Sequence, residues 1–438
     1  MTNCDLLISA RWLLPIAPRN EALEHHALAI QDGRIQALGP ADQIRRAWQA
    51  EENLELDHHI LLPGLVNAHG HAAMTLLRGA GEDQHLQDWL HHTIWPLEAE
   101  HVNAEFVRLG SELAIAEMLA SGTTTFSDMY FFPEVVAAAV EKTGMRAQLA
   151  FPVIEFTNAW STSVDDCLHK GLALHDQYRH HPRIDMAFGP HAPYTVRMAD
   201  LKRVAMYADE IEAPIQIHLH ENAREVADAV AEFGKTWIHI LDEEGLLGPQ
   251  MQAVHMTQVN DEDLERIAAT NTRVIHCPSS NLKLASGYAD ITRLAGSDVC
   301  IGLGTDGAAS NNTLDLFHEA RMAALLAKHH GEDAALGPAR EMLAMATLGG
   351  ADALGIADLT GSLEAGKAAD LVAVDSRRLQ LSPLHDPFAA LIHSHAGNAV
   401  SDVFIQGERV VADGRHTHLD VDELLAETNA WLLQTRPD

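Results

Sequence analysis

Three histidines and one aspartate are the residues of this sequence best suited to chemistry. His69 and His71 lie in Asn-Ala-His-Gly-His. His218 lies in Ile-His-Leu-His-Glu, and Asp306 lies in Leu-Gly-Thr-Asp-Gly. Each closes a short apolar run of the kind that forms a buried strand. Because three imidazoles and one carboxylate suit a borderline cation such as zinc, we predict a metal site that supports hydrolysis.

The H-x-H spacing alone is weak evidence, because 28 histidines among 438 residues give about two such pairs by chance. His69 and His71 lie two positions apart at the end of an apolar run, so both side chains face the same side of a strand. Two further pairs lie in the C-terminal region, away from any predicted barrel strand, and are interpreted as structural or surface histidines: His393 with His395, and His416 with His418.

Two more histidines need a choice between interpretations. Only one histidine of Ile-His218-Leu-His220-Glu221 needs to bind the metal. We favour His218, on the resemblance described below, and keep His220 as the alternative ligand. His255, in Ala-Val-His-Met, is either a core histidine with satisfied hydrogen bonds or a functional group. Its place at the end of the next predicted strand favours the functional interpretation.

The middle of the chain, residues 63–364, alternates apolar runs with helix-like stretches such as 109–119 and 314–328. Eight candidate strands end near the following positions: His69, Asp128, Ile154, His191, His220, His255, Cys277 and Asp306. Eight strand–helix alternations indicate an α/β fold of the TIM-like (β/α)8 barrel type. Such a barrel gathers its strand ends on one rim, which would bring the candidate ligands together.

Both ends of the chain are rich in predicted hairpins. Asp32-Gly33 separates two apolar runs and supplies the positive φ of a type I′ turn, and similar patterns occupy 370–374 and 403–414. A small sheet would be marginal alone. We therefore predict that residues 1–62 and 365–438 fold together as a small β-sandwich domain beside the barrel. Residues 421–433 carry leucines and Trp431 at helical spacing, which predicts a closing helix.

Composition excludes several classes of function. Lys+Arg 30 against Asp+Glu 62 gives a net charge of −32, which argues against nucleic acid or an anionic membrane as partner. The four scattered cysteines form no C-x-x-C pair, which is typical of a reducing cytoplasm. No signal-peptide pattern occurs at the start, and no apolar stretch reaches the ~18 residues that cross a bilayer. We expect a cytoplasmic protein acting on a small molecule, with a homo-oligomer left open.

Longer motifs carry a family resemblance. They are Leu62-Pro-Gly-Leu-Val-Asn-Ala-His-Gly-His, Gly189-Pro-His-Ala-Pro-Tyr, His218-Leu-His-Glu, His276-Cys-Pro-Ser-Ser-Asn and Gly304-Thr-Asp-Gly. Together they resemble the amidohydrolase superfamily, and most closely its branch of methylthioadenosine/S-adenosylhomocysteine deaminases and triazine hydrolases. With Gly361-Ser-Leu-Glu-Ala-Gly-Lys near the end of the barrel, the resemblance covers essentially the whole chain.

The resemblance implies a metal and a set of catalytic groups. One Zn²⁺ per subunit would be held by four ligands: His69, His71, His218 and Asp306. Glu221 would shuttle protons, and His255 would orient the attacking water. Asp306 and His255 would accept or orient the proton of that water. Iron or manganese in place of zinc is left open, since Fe²⁺ and Mn²⁺ accept similar ligands.

The resemblance also implies contacts with a purine nucleoside. Glu98, in Trp-Pro-Leu-Glu, would bind ribose hydroxyls, and His191 would contact the substrate, as would Glu221 and Asp306. Taken alone, Glu98 is most simply a solvated carboxylate at the start of a helix. Only the family match gives it a function.

The number of metal ions can be argued from the residues. Two-metal members of the superfamily typically bridge the ions with a carboxylated lysine at the end of the third or fourth strand. Here those predicted strands, 146–155 and 184–191, contain no lysine. A single ion follows, and one-metal members are mostly deaminases.

Substrate choice is argued from arginine. A homocysteine tail adds a carboxylate, which arginine binds bidentately. The loop after the third strand, where related enzymes carry such an arginine, has none between Arg146 and Arg179. We therefore predict hydrolytic deamination of 5′-methylthioadenosine and adenosine in preference to S-adenosylhomocysteine, with Arg146 itself as an alternative carboxylate contact. The competing interpretations are a deaminase or chlorohydrolase of guanine, pterin or triazine rings, and a catalytically silent scaffold.

Overall fold

The computed structural model describes residues 1–435, and its strands form two eight-stranded sheets. In chain order the strands are β1 (Thr2–Leu13), β2 (Leu23–Gln31), β3 (Arg34–Pro40), β4 (Trp48–Pro63), β5 (Leu65–Asn67), β6 (Thr123–Asp128), β7 (Arg146–Val153), β8 (Ile184–Pro190), β9 (Ile215–Leu219), β10 (Met251–His255), β11 (Arg273–His276), β12 (Ile301–Leu303), β13 (Leu371–Asp375), β14 (Val400–Ile405), β15 (Glu408–Ala412) and β16 (Arg415–His416).

The α-helices alternate with the barrel strands or close the ends of the chain. They are α1 (Ala41–Ala47), α2 (Leu86–Trp89), α3 (Trp95–His101), α4 (Ala104–Ala120), α5 (Pro133–Thr143), α6 (Val164–Tyr178), α7 (Met198–Glu210), α8 (Ala223–Phe233), α9 (Trp237–Glu243), α10 (Asp261–Thr270), α11 (Pro278–Lys283), α12 (Ile291–Ala295), α13 (Ala308–Asn311), α14 (Leu316–His330), α15 (Ala339–Ala344), α16 (Gly350–Ala353), α17 (Pro387–His393) and α18 (Val421–Thr435). Short 3₁₀ turns span Ala72–Leu77, Leu379–Leu381 and Ala396–Ala399, and π turns span Leu90–Ile94 and Met345–Gly349.

Strands β5 to β12 form the predicted barrel. They are parallel and pair in sequence order. The last strand returns to the first through a bond of 2.9 Å from the Ala68 N–H to the Leu303 carbonyl. All residues of β6, β7, β9 and β10 are buried, as expected for parallel strands covered on both faces. The predicted TIM-like fold is confirmed, and every strand ends within three residues of its predicted position.

The two termini build the second sheet, as predicted. Its order is β16-β15-β14-β13-β4-β1-β2-β3, and β4 pairs with β1 on one side and with β13 on the other. The sheet curls so that the turn between β2 and β3 contacts the segment before β13 and the turn between β14 and β15. The Ala369 N–H donates to the Gly33 carbonyl over 2.9 Å, and the backbone of Gln406 packs against Gly33. Asp32 and Gly33 have φ of 52° and 71°, which confirms the left-handed turn that the sequence predicted.

The two sheets meet where β4 ends at Pro63 and β5 begins at Leu65. We retain as a proposal the division of the chain into residues 1–62 with 365–438, and residues 63–364. The predicted closing helix is α18, whose Trp431 packs edge-on against Phe106 of α4. Within residues 1–435, no helix combines the length and apolar character needed to span a membrane.

Candidate metal centre and active site

The residues with predicted site roles lie at the carboxyl ends of the barrel strands or in the segments that follow them. His69 lies just after β5, His218 is the penultimate residue of β9, and Asp306 lies three residues beyond β12. His69 is fully buried, and His218 and Asp306 are nearly so. The His255 and Asp306 backbones adopt left-handed φ values of 79° and 60°, a sparsely populated conformation that clusters at functional sites.

Four imidazoles of the site share one hydrogen-bonding arrangement, in which each Nδ1 faces an oxygen that can only accept. The pairs are His69 with Gln216 Oε1 at 2.8 Å, His71 with the Met129 carbonyl at 2.6 Å, His218 with the His191 carbonyl at 2.6 Å, and His255 with Asn281 Oδ1 at 2.9 Å. Each Nδ1 therefore carries the proton. Each Nε2 is left with a free lone pair directed into the barrel mouth.

These lone pairs converge. His69 Nε2 lies 3.3 Å from His218 Nε2 with no proton available between them. Asp306 Oδ1 lies 3.3 Å from His71 Nε2 and 3.7 Å from His69 Nε2. Two ligands at about 2.1 Å from a tetrahedral zinc are about 3.4 Å apart. The spacing and the donor set therefore fit zinc, because the facing lone pairs need a cation between them.

The structure brings all four predicted ligands together and adds His255 to the cluster. The ligand atoms of His69, His71 and Asp306 lie within 4.8 Å of one another, and so do those of His69, His218 and His255. Burial lowers the pKa of His71, His218 and His255. These imidazoles are therefore neutral at pH 7, the form that binds metals.

Asp306 is fixed as a carboxylate. Its Oδ2 accepts from Ser280 Oγ at 2.7 Å, and its Oδ1 accepts from the Gly307 N–H at 2.7 Å. These two donors stabilise the ionised form of Asp306 in its buried position.

Glu221 faces the same cavity. It is buried, and its nearest polar partner is the Ser286 hydroxyl, 3.4 Å from Oε1. Burial, with the charge of Asp306 adding to it, raises the pKa of Glu221 to about 8. The side chain is therefore largely protonated at neutral pH and able to donate a proton.

Glu98 and His191 also line the cavity. Glu98 is half-buried and accepts a bond of 2.6 Å from the Tyr130 hydroxyl. Burial raises the pKa of Glu98 to about 7. Glu98 is therefore partly shielded from solvent and has a specific partner. His191 pairs through Nδ1 with the Thr195 hydroxyl at 3.0 Å, and its carbonyl holds His218.

Two alternatives from the sequence are excluded. His220 is not a ligand, because its Nδ1 bonds the Gln258 carbonyl at 2.7 Å and its Nε2 accepts from the Ile238 N–H at 3.3 Å. Arg146 cannot contact a substrate, because it begins β7 at the far end of the barrel. It is buried there against Asp370.

The rest of the cavity wall is mostly apolar. Within residues 1–435, the wall carries no lysine or arginine, and its aromatic and aliphatic members include Trp89, Trp95, Phe131, Ile154, Phe156 and Leu284. Such a wall suits a neutral, flat ring system with a small apolar substituent.

Sequence reasoning assigned no role to the residues that orient the ligands. Gln216 holds His69 and lies two positions before His218, so the period-2 rule could have placed it on the same strand face. Asn281 and Ser280 lie in the quoted motif His-Cys-Pro-Ser-Ser-Asn without a role. Tyr130, the partner of Glu98, left no signal.

Comparisons with known proteins agree with this fold and site. The sequence profile of the Amidohydrolase family matches residues 60–410. A protein of Teredinibacter turnerae named 5-methylthioadenosine/S-adenosylhomocysteine deaminase is 48% identical over 430 residues, which cover 98% of this chain and 97% of that protein.

Solved structures give the same picture. A zinc-bound adenosine deaminase from Xanthomonas campestris superimposes with a TM-score of 0.97 at 44% identity, covering 99% of both chains. A zinc-bound atrazine chlorohydrolase from Arthrobacter aurescens has a TM-score of 0.90 at 24% identity, covering 97% of this chain and 99% of that one, and shares the fold.

A (β/α)8 barrel with converging imidazoles and a carboxylate at its rim defines a metal-dependent hydrolase. The chain belongs to the amidohydrolase family.

Proposed function

We propose that the protein is a zinc-dependent deaminase that converts 5′-methylthioadenosine and adenosine to their inosine forms and ammonia. The observation that carries the proposal is the pair of ligand groups that share His69, one with His71 and Asp306 and one with His218 and His255, with Glu221 on the same cavity. The names of the relatives from Teredinibacter turnerae and Xanthomonas campestris support the same reaction class.

The ligands we assign are His69, His71, His218 and Asp306, with one ion per subunit. Bound there, zinc would act as a Lewis acid that lowers the pKa of water to about 7 and makes hydroxide available at neutral pH. Iron or manganese would fit the same donors.

The side chains supply the proton transfers. In the reaction, water oxygen bonds to the ring carbon that bears the amino group, and the carbon–nitrogen bond breaks to release ammonia. Glu221 donates its proton to the ring nitrogen next to that carbon, takes up the second proton of the attacking water as the carbon–oxygen double bond forms, and passes it to the leaving amine. The first water proton, which Asp306 accepts, then restores the protonated form of Glu221. His255, with its own proton held on Nδ1 by Asn281, presents Nε2 as an acceptor that directs the incoming water, and Asp306 accepts its proton.

Substrate recognition follows from the wall. Glu98, held by Tyr130, offers carboxylate oxygens to ribose hydroxyls, and His191 contacts the purine. The apolar wall suits a methylthio group. No cationic side chain of the described wall would pair with a homocysteine carboxylate. Desolvating that carboxylate against an apolar wall without a partner would weaken binding of S-adenosylhomocysteine by about tenfold or more.

Ammonia release from zinc-loaded protein tests the proposal. The panel comprises 5′-methylthioadenosine, adenosine, S-adenosylhomocysteine, guanine, a pterin and an aminotriazine. We expect kcat/KM for the first two to exceed that for S-adenosylhomocysteine by about tenfold or more. Turnover of only guanine, the pterin or the triazine would contradict the nucleoside assignment, and no turnover with a full complement of zinc would indicate a silent scaffold.

We also propose that the enzyme is cytoplasmic. All four cysteines are free thiols, which favours a reducing cytoplasm. A homo-oligomer stays a prediction.

A further inference from the structure

The turn that carries Glu221 is fixed by a second buried glutamate four residues further on. Glu225 is 7% exposed. Its Oε1 accepts from the His220 N–H at 2.8 Å, and its Oε2 accepts from the Glu221 N–H at 2.8 Å. One carboxyl group thus holds two successive amides, and these two donors favour its ionised form, although burial raises the pKa of Glu225. The first amide belongs to a residue with a left-handed φ of 50°.

Helix capping alone does not require this arrangement. Helix α8 is capped by Asn222, whose Oδ1 accepts from the Glu225 N–H at 3.0 Å. In a capping box, the glutamate three residues into the helix accepts from the amide of the capping residue itself. Here Glu225 reaches past Asn222 to the two residues before it. The carboxylate serves the turn with Glu221 rather than the end of the helix.

The opposite side of the turn is held as well. Thr257 donates its hydroxyl to the Glu221 carbonyl at 2.6 Å, and its N–H donates to the His220 carbonyl at 3.0 Å. Both peptide groups of Glu221 are therefore anchored. Only the side-chain torsions of Glu221 remain free to aim its carboxyl group.

We propose that Glu225 is the positioning residue of the reaction: it holds the backbone of Glu221 so that the Glu221 carboxyl group meets the ring nitrogen of the nucleoside. This inference rests on the proposed role of Glu221 as proton donor. Glu225 lies outside the metal ligands and needs no contact with substrate.

Two acceptor oxygens are essential to this role. Glu225→Gln preserves the shape but offers one acceptor, and its amide N–H₂ would face a backbone N–H. The turn must then relax. Because a misplacement of about 1 Å can cost about 100-fold in rate, we expect kcat to fall about 10- to 100-fold in this variant. KM for 5′-methylthioadenosine should stay within about threefold, since Glu225 is not among the residues that line the cavity of the candidate site.

A double-mutant cycle separates positioning from general support of the fold. In it, kcat of zinc-loaded wild type, E225Q, E221Q and E221Q/E225Q is compared at equal zinc content. If Glu225 acts through Glu221, E225Q lowers kcat in the wild-type background and has no further effect in E221Q. The same fold-loss in both backgrounds, or loss of zinc from E225Q, would overturn the proposal. If E225Q keeps the wild-type kcat while E221Q is impaired, the positioning role of Glu225 is refuted but the role of Glu221 is not. If E221Q is fully active, both roles are refuted.

A second readout needs neither metal nor turnover. Amide hydrogen exchange of metal-free protein should be faster in E225Q than in wild type for a peptide covering 219–224. Unchanged exchange there would contradict the proposal. The matched control is Asp315→Asn, because Asp315 is another buried carboxylate that accepts two amides, from Phe317 and His318, at the start of a helix. It should leave kcat and the 219–224 peptide unchanged.

Glu225→Asp covers the case in which E225Q does not fold. Aspartate keeps two acceptor oxygens and the charge but is one methylene shorter. We expect its kcat to lie between those of wild type and E225Q, again with no further effect in the E221Q background. An equal loss in both backgrounds would contradict the proposal here too.

Discussion

A buried ion pair fastens the barrel to the terminal sheet, and breaking it should cost stability without affecting catalysis. Arg146, at the start of β7, donates from Nε and Nη2 to Asp370 Oδ2 at 3.3 and 3.2 Å, and from Nη1 to the Pro182 carbonyl at 2.9 Å. The two side chains are 1% and 0% exposed. Asp370 Oδ1 also accepts from the Gln406 N–H at 2.8 Å.

The expected loss follows from this burial. Asp370→Asn removes the carboxylate and leaves the buried Arg146 guanidinium without its hydrogen-bonded counter-charge, which typically costs ~3–5 kcal/mol. A chain of 438 residues unfolds with an entropy of about 0.9 kcal/mol/K. The melting temperature should therefore fall by about 3–5 °C.

Differential scanning calorimetry measures this shift, with kcat as the parallel readout. The exposed pair Arg224–Asp228, separated by 3.6 Å with both side chains more than 70% exposed, supplies the control: Asp228→Asn should shift Tm by less than about 1 °C. Adding Arg146→Met to Asp370→Asn removes both charges and should recover much of the loss. Equal shifts for the buried and exposed variants, or no recovery in the double variant, would refute the reasoning.

The remaining predictions concern the site. Because burial raises the pKa of Glu221 to about 8 and the donating form is protonated, kcat should fall as pH rises through about 8; a rate that increases across that pH would contradict its role as acid. Asn281→Ala removes the acceptor for His255 Nδ1 and should lower kcat about 10- to 100-fold, measured at equal zinc content; an unchanged kcat would show that His255 needs no such partner. Glu98→Gln should raise KM for adenosine but leave KM for 2′,3′-dideoxyadenosine unchanged, and an equal rise for both would exclude a ribose contact.

The barrel could be predicted because its signals are local. Each strand is a short apolar run that stops at a polar residue, and the parallel arrangement then gathers those polar residues on one rim. His69, His218 and Asp306, more than 80 positions apart in sequence, therefore meet in the structure. The turn at Asp32-Gly33 could be predicted for the same reason, since the Asp-Gly pair favours the positive φ values of such a turn.

Apart from Gln216, the supporting contacts could not be predicted from the sequence, because they join residues with no shared period. The Tyr130 hydroxyl donates to Glu98 from a segment distant in sequence. Glu225 accepts from the amides of His220 and Glu221, which lie before the start of its own helix. His220 and Arg146 show the converse. Each has a plausible residue type, yet the left-handed backbone of His220 just after β9, and the far end of the barrel at which Arg146 lies, remove them from the chemistry.

The terminal sheet has a consequence for synthesis on the ribosome. Strand β4 takes one neighbour, β1, from the start of the chain and the other, β13, only after the whole barrel has been made. Until residues 371–375 emerge, one edge of β4 keeps its amides and carbonyls unpaired, and such an edge invites pairing with another nascent chain. Strand β13, which is translated only after the barrel, therefore closes this edge and removes a site for aggregation of the newly made protein.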